Sequence, residues 1–264
     1  MMDAETGRVI LAEGEERRRR IVSAARRAGA IGVTAIAADL GVSRETVRRD
    51  LGALERRGLV RRTHGGAFPV ESAGFETTLE FRTGLHVPEK IRIAAAAAAL
   101  LGDAETVFMD EGSTPQLIAE ALPDDRPLTV VTASLATALG LAARPKTTVL
   151  LLGGRVRGGT MATVDHWAAR TLSDFVIDLA YLSANGISRE HGLTTPDPRV
   201  SEVKRQAVRA SRRRVFAGVY SKFGAVSFCR FAEARAFDTI ITDTRLPQNE
   251  ARRYGLLGPE VLRV

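Results

Sequence analysis

The sequence predicts an α/β protein with a small α+β winged-helix domain: an N-terminal winged helix-turn-helix followed by a mostly parallel-sheet α/β domain. Three observations predict it. A basic surplus is confined to residues 14–68, that stretch reads as three helices and a hairpin, and strand-like and helical runs alternate from residue 88 onward. The net charge is +7, and residues 14–68 hold 13 Lys+Arg against 6 Asp+Glu, so the whole surplus lies there. A short basic segment of this kind suits a binder of phosphate backbones, because each neutralised phosphate releases condensed counterions.

From Glu15 to Ala28, Ile21, Val22, Ala24, Ala25 and Ala28 recur at helical spacing among arginines, and Gly29 ends the helix. Thr34 offers a capping hydroxyl to a second, two-turn helix over Ala35 to Leu40, closed by Gly41. Ser43 caps a third, in which Val47, Leu51 and Leu54 form the core stripe. Arg44, Glu45, Arg48 and Arg49 then point outward from its first two turns, where a recognition helix meets base edges. Arginine forks suit guanine or phosphate, Ser43 and Thr46 suit backbone phosphates, and Glu45 can accept from cytosine or orient an arginine. Residues 59–68 read as a basic wing whose turn holds Thr63, His64, Gly65 and Gly66, with Arg61 and Arg62 leading into it.

Residues 1–13 read as an N-terminal tail and residues 69–87, rich in Pro, Gly, Ser, Thr and Glu, as a linker. In residues 88–264 a helix from Pro88 to Leu101 precedes strand-like runs at 105–110, 128–132, 147–152, 177–183, 214–220 and 238–243. Near-continuous apolar strands alternating with helices argue for a parallel sheet covered on both faces, which binds ligands outside its carboxyl ends. Four motifs sit at such ends: Asp110-Glu111-Gly112-Ser113-Thr114, Thr132-Ala133-Ser134, the stretch Gly153 to Gly159, and Asn185-Gly186. They are expected to converge on one crevice. There Ser113 and Thr114 open a helix, Gly153 and Gly154 admit a phosphate, and Lys204 and Lys222 add charge.

Composition excludes several classes. Cys229 is the only cysteine, which rules out an internal disulfide framework and a multi-cysteine metal site and fits a reducing compartment. The longest apolar run, Ile93 to Leu101, falls short of the roughly 20 residues of a membrane-crossing helix. The N-terminus lacks the order of an export signal. A cytoplasmic protein without cofactor or metal is expected.

The string VSRETVRRDLGALERRGLVRRTHGGAF is very similar to the signature of the DeoR family, with its T-[IV]-R-R-D-L helix and R-x-H-G-G-A wing. The resemblance covers nearly the whole chain beyond the first dozen residues. It implies an α/β effector-sensing domain resembling sugar-phosphate isomerases and responding to phosphorylated sugars. Carried onto matching positions, the implied effector contacts are Asp110, Gly112, Ser113, Thr114, Thr132, Ser134, Gly153, Gly154, Asp178, Gly186, Glu202, Lys204 and Lys222. The chain departs from the family pattern at Ala133 (usually Asn), at Asp165-His166 (commonly Gly-Pro) and at Val219 (usually Asp). Ala133 and Val219 are expected to make the pocket more apolar, and an unpaired Asp165 to repel a phosphate.

The function expected is that of a sequence-specific, DNA-binding transcriptional repressor, a homo-oligomer controlled by a sugar phosphate and not an enzyme. One alternative is a sugar-phosphate isomerase-like enzyme using Asp110, Asp178, Glu202 and Lys222 as acids and bases. Another is a constitutive DNA-binding protein whose sensor domain is vestigial.

Overall fold

The computed structural model describes residues 4–63, 65–70 and 76–264. It divides into two compact units, the first ending near residue 77 and the second running from Thr78 to Val264.

In the first unit, α1 (Ala4–Ala28) is followed by β1 (Ile31–Gly32), α2 (Val33–Leu40), α3 (Arg44–Arg56), β2 (Val60–Arg62) and β3 (Gly66–Pro69). Ile21 and Ala25 of α1, Ile36 and Ala37 of α2, and Val47, Leu51 and Leu54 of α3 close a small core with Val60 and Ala67 of the wing. The three short strands form an antiparallel sheet in the order β1, β3, β2. Two expectations need correction. The helix does not start near Glu15 but extends back to Ala4 through the presumed tail. Thr34 is not a cap, since α2 begins at Val33 behind Gly32, whose extended backbone makes no side-chain cap bond.

The second unit begins with α4 (Leu79–Thr83), a helix within the stretch expected to be linker, capped by the Thr78 hydroxyl on Phe81 N at 3.3 Å. Next come α5 (Val87–Ala99), β4 (Thr106–Met109), α6 (Ser113–Ala121), β5 (Leu128–Thr132), α7 (Leu135–Leu141) and β6 (Thr147–Leu151). A hairpin of β7 (Arg155–Arg157) and β8 (Ala162–Val164) leads to α8 (His166–Ser173), β9 (Ile177–Leu182), β10 (Gly186–Ser188) and β11 (Gly192–Thr195). The chain ends with α9 (Pro198–Ala210), β12 (Ser211–Ala217), β13 (Cys229–Ala232), β14 (Thr239–Thr242), α10 (Gln248–Gly255) and β15 (Glu260–Arg263). Seven strands make one parallel sheet, ordered β15-β14-β12-β9-β4-β5-β6.

Period-2 alternation explains why the sheet is covered twice. Val107 and Met109 face a core shared with Ile93, Ala97 and Ile118, whereas Phe108 between them faces one shared with Leu172, Val203 and Phe216. All six expected strands are present. The seventh, β15, and the antiparallel sheet of β10, β11 and β13 were not expected.

One glycine fixes the wing. A Cβ on Gly66 would lie 1.9 Å from the Ile31 carbonyl oxygen, whereas one on neighbouring Gly65 would meet nothing within 4 Å. Gly66→Ala is expected to destabilise the first unit by about 1–3 kcal/mol and Gly65→Ala to be near neutral, as measured by thermal unfolding. Equal effects of the two would contradict the close strand approach.

Candidate functional site

In the first unit, Ser43 caps α3 by accepting from Thr46 N at 3.1 Å, and its hydroxyl lies 2.9 Å from that of Thr46. Arg44, Arg48 and Arg49 are exposed, as is Glu45, which pairs with Arg48 at 3.6 Å. The outward arginines therefore stand together on one face of a rigidly capped helix. In the wing, Arg61 is half-buried, and Arg62 is exposed with its backbone N bonded to Glu55 Oε1 at 2.9 Å. Gly66 is structural, as shown above, and Gly65 is exposed, its carbonyl accepting from Val33 N at 2.9 Å. His64 lies outside the described residues.

The sequence reading missed what anchors α3. Asp50, 3% exposed, accepts from Arg17 Nε at 2.5 Å and Arg18 Nε at 3.0 Å, so both carboxylate oxygens tie α3 to α1. A second tie joins Glu15 to Arg57 in a two-point pair of 2.7 and 2.9 Å, and the Arg57 hydrogen bonds bring the Glu15 carboxyl down to about 2. Thus Asp50, the acid of the R-R-D string, orients the helix that presents Arg48 and Arg49.

In the second unit, the carboxyl ends of β4 and β9 and the buried face of α9 meet at Lys204. Its ammonium, 2% exposed, bonds Asp110 Oδ2, approaches Glu111 Oε1 at 3.5 Å and donates to the Ser183 carbonyl at 3.3 Å. Ser183 N donates to Asp110 Oδ2 at 2.9 Å. Burial drives the Asp110 carboxyl up. Glu111 is buried too, yet Lys204, Arg82 and Arg157 together hold it down. The asymmetry follows because one ammonium serves two carboxylates and only Glu111 gains further cations.

Beside this group Lys90, buried on α5, donates to Ser113 Oγ at 2.8 Å and to the Arg82 carbonyl. Burial, together with the nearby charges of Lys222 and Arg82, brings the Lys90 ammonium down to about 8. Gly112, at φ +119°, turns the chain from β4 into α6, whose first residues Ser113 and Thr114 are buried. On the far side Arg157 pairs with Asp197 at 3.2 Å, Arg199 clasps Asp197 at 2.7 and 3.0 Å, and Thr195 bonds Asn185 at 3.1 Å. The result is a cluster of buried lysines, half-buried arginines, carboxylates and hydroxyls. It can hold an anion at the α6 end and hydroxyl groups along the Asp110–Lys204 side.

The structure brings together Asp110, Gly112, Ser113, Lys204 and, through its charge on Lys90, Lys222. It does not bring in Asp178. That residue lies at the amino end of β9, where its Oδ2 accepts from Thr106 Oγ1 at 2.8 Å and from the backbone N of Thr106 and Glu105 at 3.0 and 3.2 Å. Glu202 is exposed, off the α9 face that buries Val203 and Lys204. Thr132 and Ser134 are spent on the backbone: Thr132 Oγ1 donates to the Met109 carbonyl at 2.7 Å, and Ser134 caps α7 at 3.1 Å. Gly153 is exposed, and the expected phosphate loop is instead the β7–β8 hairpin, in which a Cβ on Gly154 would meet the Val164 carbonyl at 2.8 Å. Gly186 is likewise a packing glycine, with the Ala225 carbonyl 2.3 Å from the site of a Cβ.

The three departures also resolve. Asp165 is not unpaired: it caps α8 at Trp167 N, 3.2 Å, and faces Arg155 at 3.6 Å. Ala133 and Val219 are buried in the two hydrophobic cores. Arg82, Lys90, Glu111, Arg157, Asn185 and Asp197 were missed as individual residues. Glu111, Arg157 and Asn185 stood inside strand-end motifs, but Arg82 lay in the supposed linker and Lys90 in a helix read only for its apolar face.

A helix-turn-helix unit with an arginine face, joined to a parallel α/β unit with a polar cluster at the carboxyl ends of its strands, defines a ligand-responsive DNA-binding regulator. Family models agree with both halves: residues 17–73 match the DeoR-like helix-turn-helix domain and residues 85–244 the DeoR C terminal sensor domain. The chain is 36% identical over 247 residues to the HTH-type transcriptional regulator GlpR of Haloferax volcanii, covering 94% of this chain and 96% of that one. It is 31% identical to the HTH-type transcriptional regulator GolR of Listeria innocua, covering 88% and 91%. With the glycerol-3-phosphate regulon repressor of Escherichia coli it shares 28% identity over 88% and 92%. The chain belongs to the DeoR family of transcriptional regulators.

Among the described residues no helix is long and apolar enough to cross a membrane, and no cluster of His, Cys, Asp and Glu could hold a metal. Asp50→Ala is expected to destabilise the first unit by about 1–3 kcal/mol, because it leaves two guanidinium groups without their shared acceptor. Urea unfolding checks this, and an unchanged midpoint would show that the α1–α3 tie does not hold the helix.

Proposed function

We propose that the chain is a sequence-specific repressor acting as a homo-oligomer in the cytoplasm, with a sugar phosphate as the effector that changes its hold on DNA. The observation that carries this reading is the convergence of Lys90, Ser113, Lys204, Asp110 and Glu111 beyond the strand ends. Cations beside the α6 N-terminus suit a phosphate, while a buried carboxylate pair suits sugar hydroxyls. The name of the Escherichia coli relative, a glycerol-3-phosphate regulon repressor, fits an effector of this chemistry. The crevice binds and does not turn over its ligand. Of the four acid-base candidates for an isomerase, Asp178 is at the other end of the sheet and Glu202 faces solvent.

Two half-sites read by paired α3 helices follow from oligomeric binding. Arg48→Ala or Arg49→Ala is expected to weaken binding to a selected operator duplex by about 1–3 kcal/mol each, measured by gel shift at fixed salt. Unchanged affinity would remove α3 from the major groove.

Thermal shift against triose, pentose and hexose phosphates, with glycerol 3-phosphate among them, tests the effector class. Stabilisation without chemical conversion is the expected result, and conversion of the bound sugar would point to the isomerase reading instead.

The sign of the pH dependence is fixed by Lys90. An anion favours its ammonium form, which is lost as pH rises through about 8. Phosphate esters are already dianionic above pH 7, so effector affinity should fall about ten-fold between pH 7 and 9 by calorimetry. A flat profile would place the anion away from Lys90.

A further inference from the structure

The junction between the two units falls immediately before α4, and α4 is fastened by groups of the effector crevice. Residue 77 groups with the first unit and residue 78 with the second. Five residues on, the Arg82 carbonyl accepts from the buried Lys90 ammonium and, at 3.4 Å, from Ser113 Oγ. The Arg82 guanidinium stands 3.7 Å from Glu111, both side chains largely buried. At the other end of the helix, Leu79 N donates to the Gly159 carbonyl at 2.8 Å, next to the hairpin that supplies Arg157. A helix of five residues cannot hold itself in water, so these contacts fix it.

The two donors on the Arg82 carbonyl are the two that an anion would claim. The Lys90 bond to the carbonyl is already charge-assisted, but a phosphate oxygen adds a full opposite charge that the neutral carbonyl lacks and is the stronger acceptor for both donors. Ser113 has a single O–H and cannot serve both acceptors, and although the Lys90 ammonium has three N–H groups, an anion that draws its Nζ away lengthens the bond to the carbonyl.

We propose that α4 is a latch on the effector crevice: an anion that takes Lys90 and Ser113 releases the Arg82 carbonyl and frees the segment leading into the DNA-binding unit. The inference rests on the effector reading above and adds how occupancy leaves the crevice. It assigns Arg82 as a positioning residue and Lys90 as the group shared between ligand and latch. Release at residue 82 alters the tether of the first unit only a few residues away in the chain, so no long relay through the sheet is needed.

Hydrogen exchange of the full-length chain, read by mass spectrometry during titration with inorganic phosphate, tests this. Binding should slow exchange at residues 112–116 and speed it at residues 79–85 on the order of ten-fold. Slowing at 112–116 with unchanged or slower exchange at 79–85 would overturn the latch and leave the effector reading intact. No change at 112–116 up to about 100 mM phosphate would overturn both. Lys90→Met removes the shared ammonium while keeping an apolar stem of similar length. Without phosphate it should speed exchange at 79–85 to the level of the phosphate-loaded chain, and it should shift operator affinity in the direction that phosphate shifts the wild type. Wild-type exchange at 79–85 in Lys90→Met would refute the latch whatever phosphate does, and the titration of the unmodified chain decides the matter independently of how that variant folds.

Discussion

The sensor unit is organised around one buried ammonium. Lys204 sits among Asp110, Glu111 and the Ser183 carbonyl with almost no access to water. Taking these charges out of water carries a desolvation penalty of several kcal/mol per ion, offset only where the partners are close and their remaining lone pairs are satisfied. That condition is strict, and it explains the local architecture. The loop after β4 must deliver both carboxylates, the loop after β9 must offer a carbonyl and an N–H, and α9 must turn its lysine inward. A cluster so constrained keeps its shape before any ligand arrives, which is what a selective polar site requires. Two carboxylates around one lysine also leave a surplus acceptor, and hydroxyl groups of a sugar are donors of the right kind.

The DNA-binding unit uses the same device at a smaller scale. Its core is a handful of aliphatic side chains, too few to fix the direction of a 13-residue helix by packing alone. Asp50 supplies direction by taking one arginine on each oxygen, and Glu15 and Arg57 add a second tie at the far end. Since these ties leave Arg48 and Arg49 exposed, the arginines proposed to meet DNA remain uncommitted to the core. Acidic residues within a basic segment are therefore not dilution of its charge. They decide which arginines are structural and which stay on the surface.

Much of this was legible in the sequence because it is written in local periodicity. The stripe of Val47, Leu51 and Leu54 and the alternating strands from Thr106 onward are spacings of 3.6 and 2 that the fold obeys. Polar sites were harder, since residue type at a strand end does not say which neighbour a side chain prefers. Thr132 and Ser134 carry hydroxyls suited to a ligand but use them on the Met109 carbonyl and on the first turn of α7. Asp178 has the chemistry of a site residue at the wrong end of its strand, a distinction that strand direction alone carries and that the order of residues already contains. The glycines near 154 illustrate a different ambiguity, because close backbone approach serves a hairpin as well as a phosphate. Arg82 and Lys90 could not be found by pattern: they become site residues only through contacts between segments far apart in the chain.

The departures from the family pattern bear on what the crevice recognises. Had Ala133 and Val219 lined it, two polar groups would be missing and a vestigial site would be the natural conclusion. Both are instead buried in apolar cores, on opposite faces of the sheet, where an amide or a carboxylate would need its own buried partners. Asp165 is held by Arg155 and by the start of α8, so its charge is offset where it stands. The hydrogen bonds and ion pairs described around Lys204 and Lys90 use none of these positions. Under the proposed effector reading, selectivity among phosphorylated ligands comes from the spacing between the Lys90–Ser113 end and the Asp110–Glu111 side. A chain relative with polar groups at 133 and 219 would differ in how its core is packed around the crevice before it differed in the groups that touch the ligand.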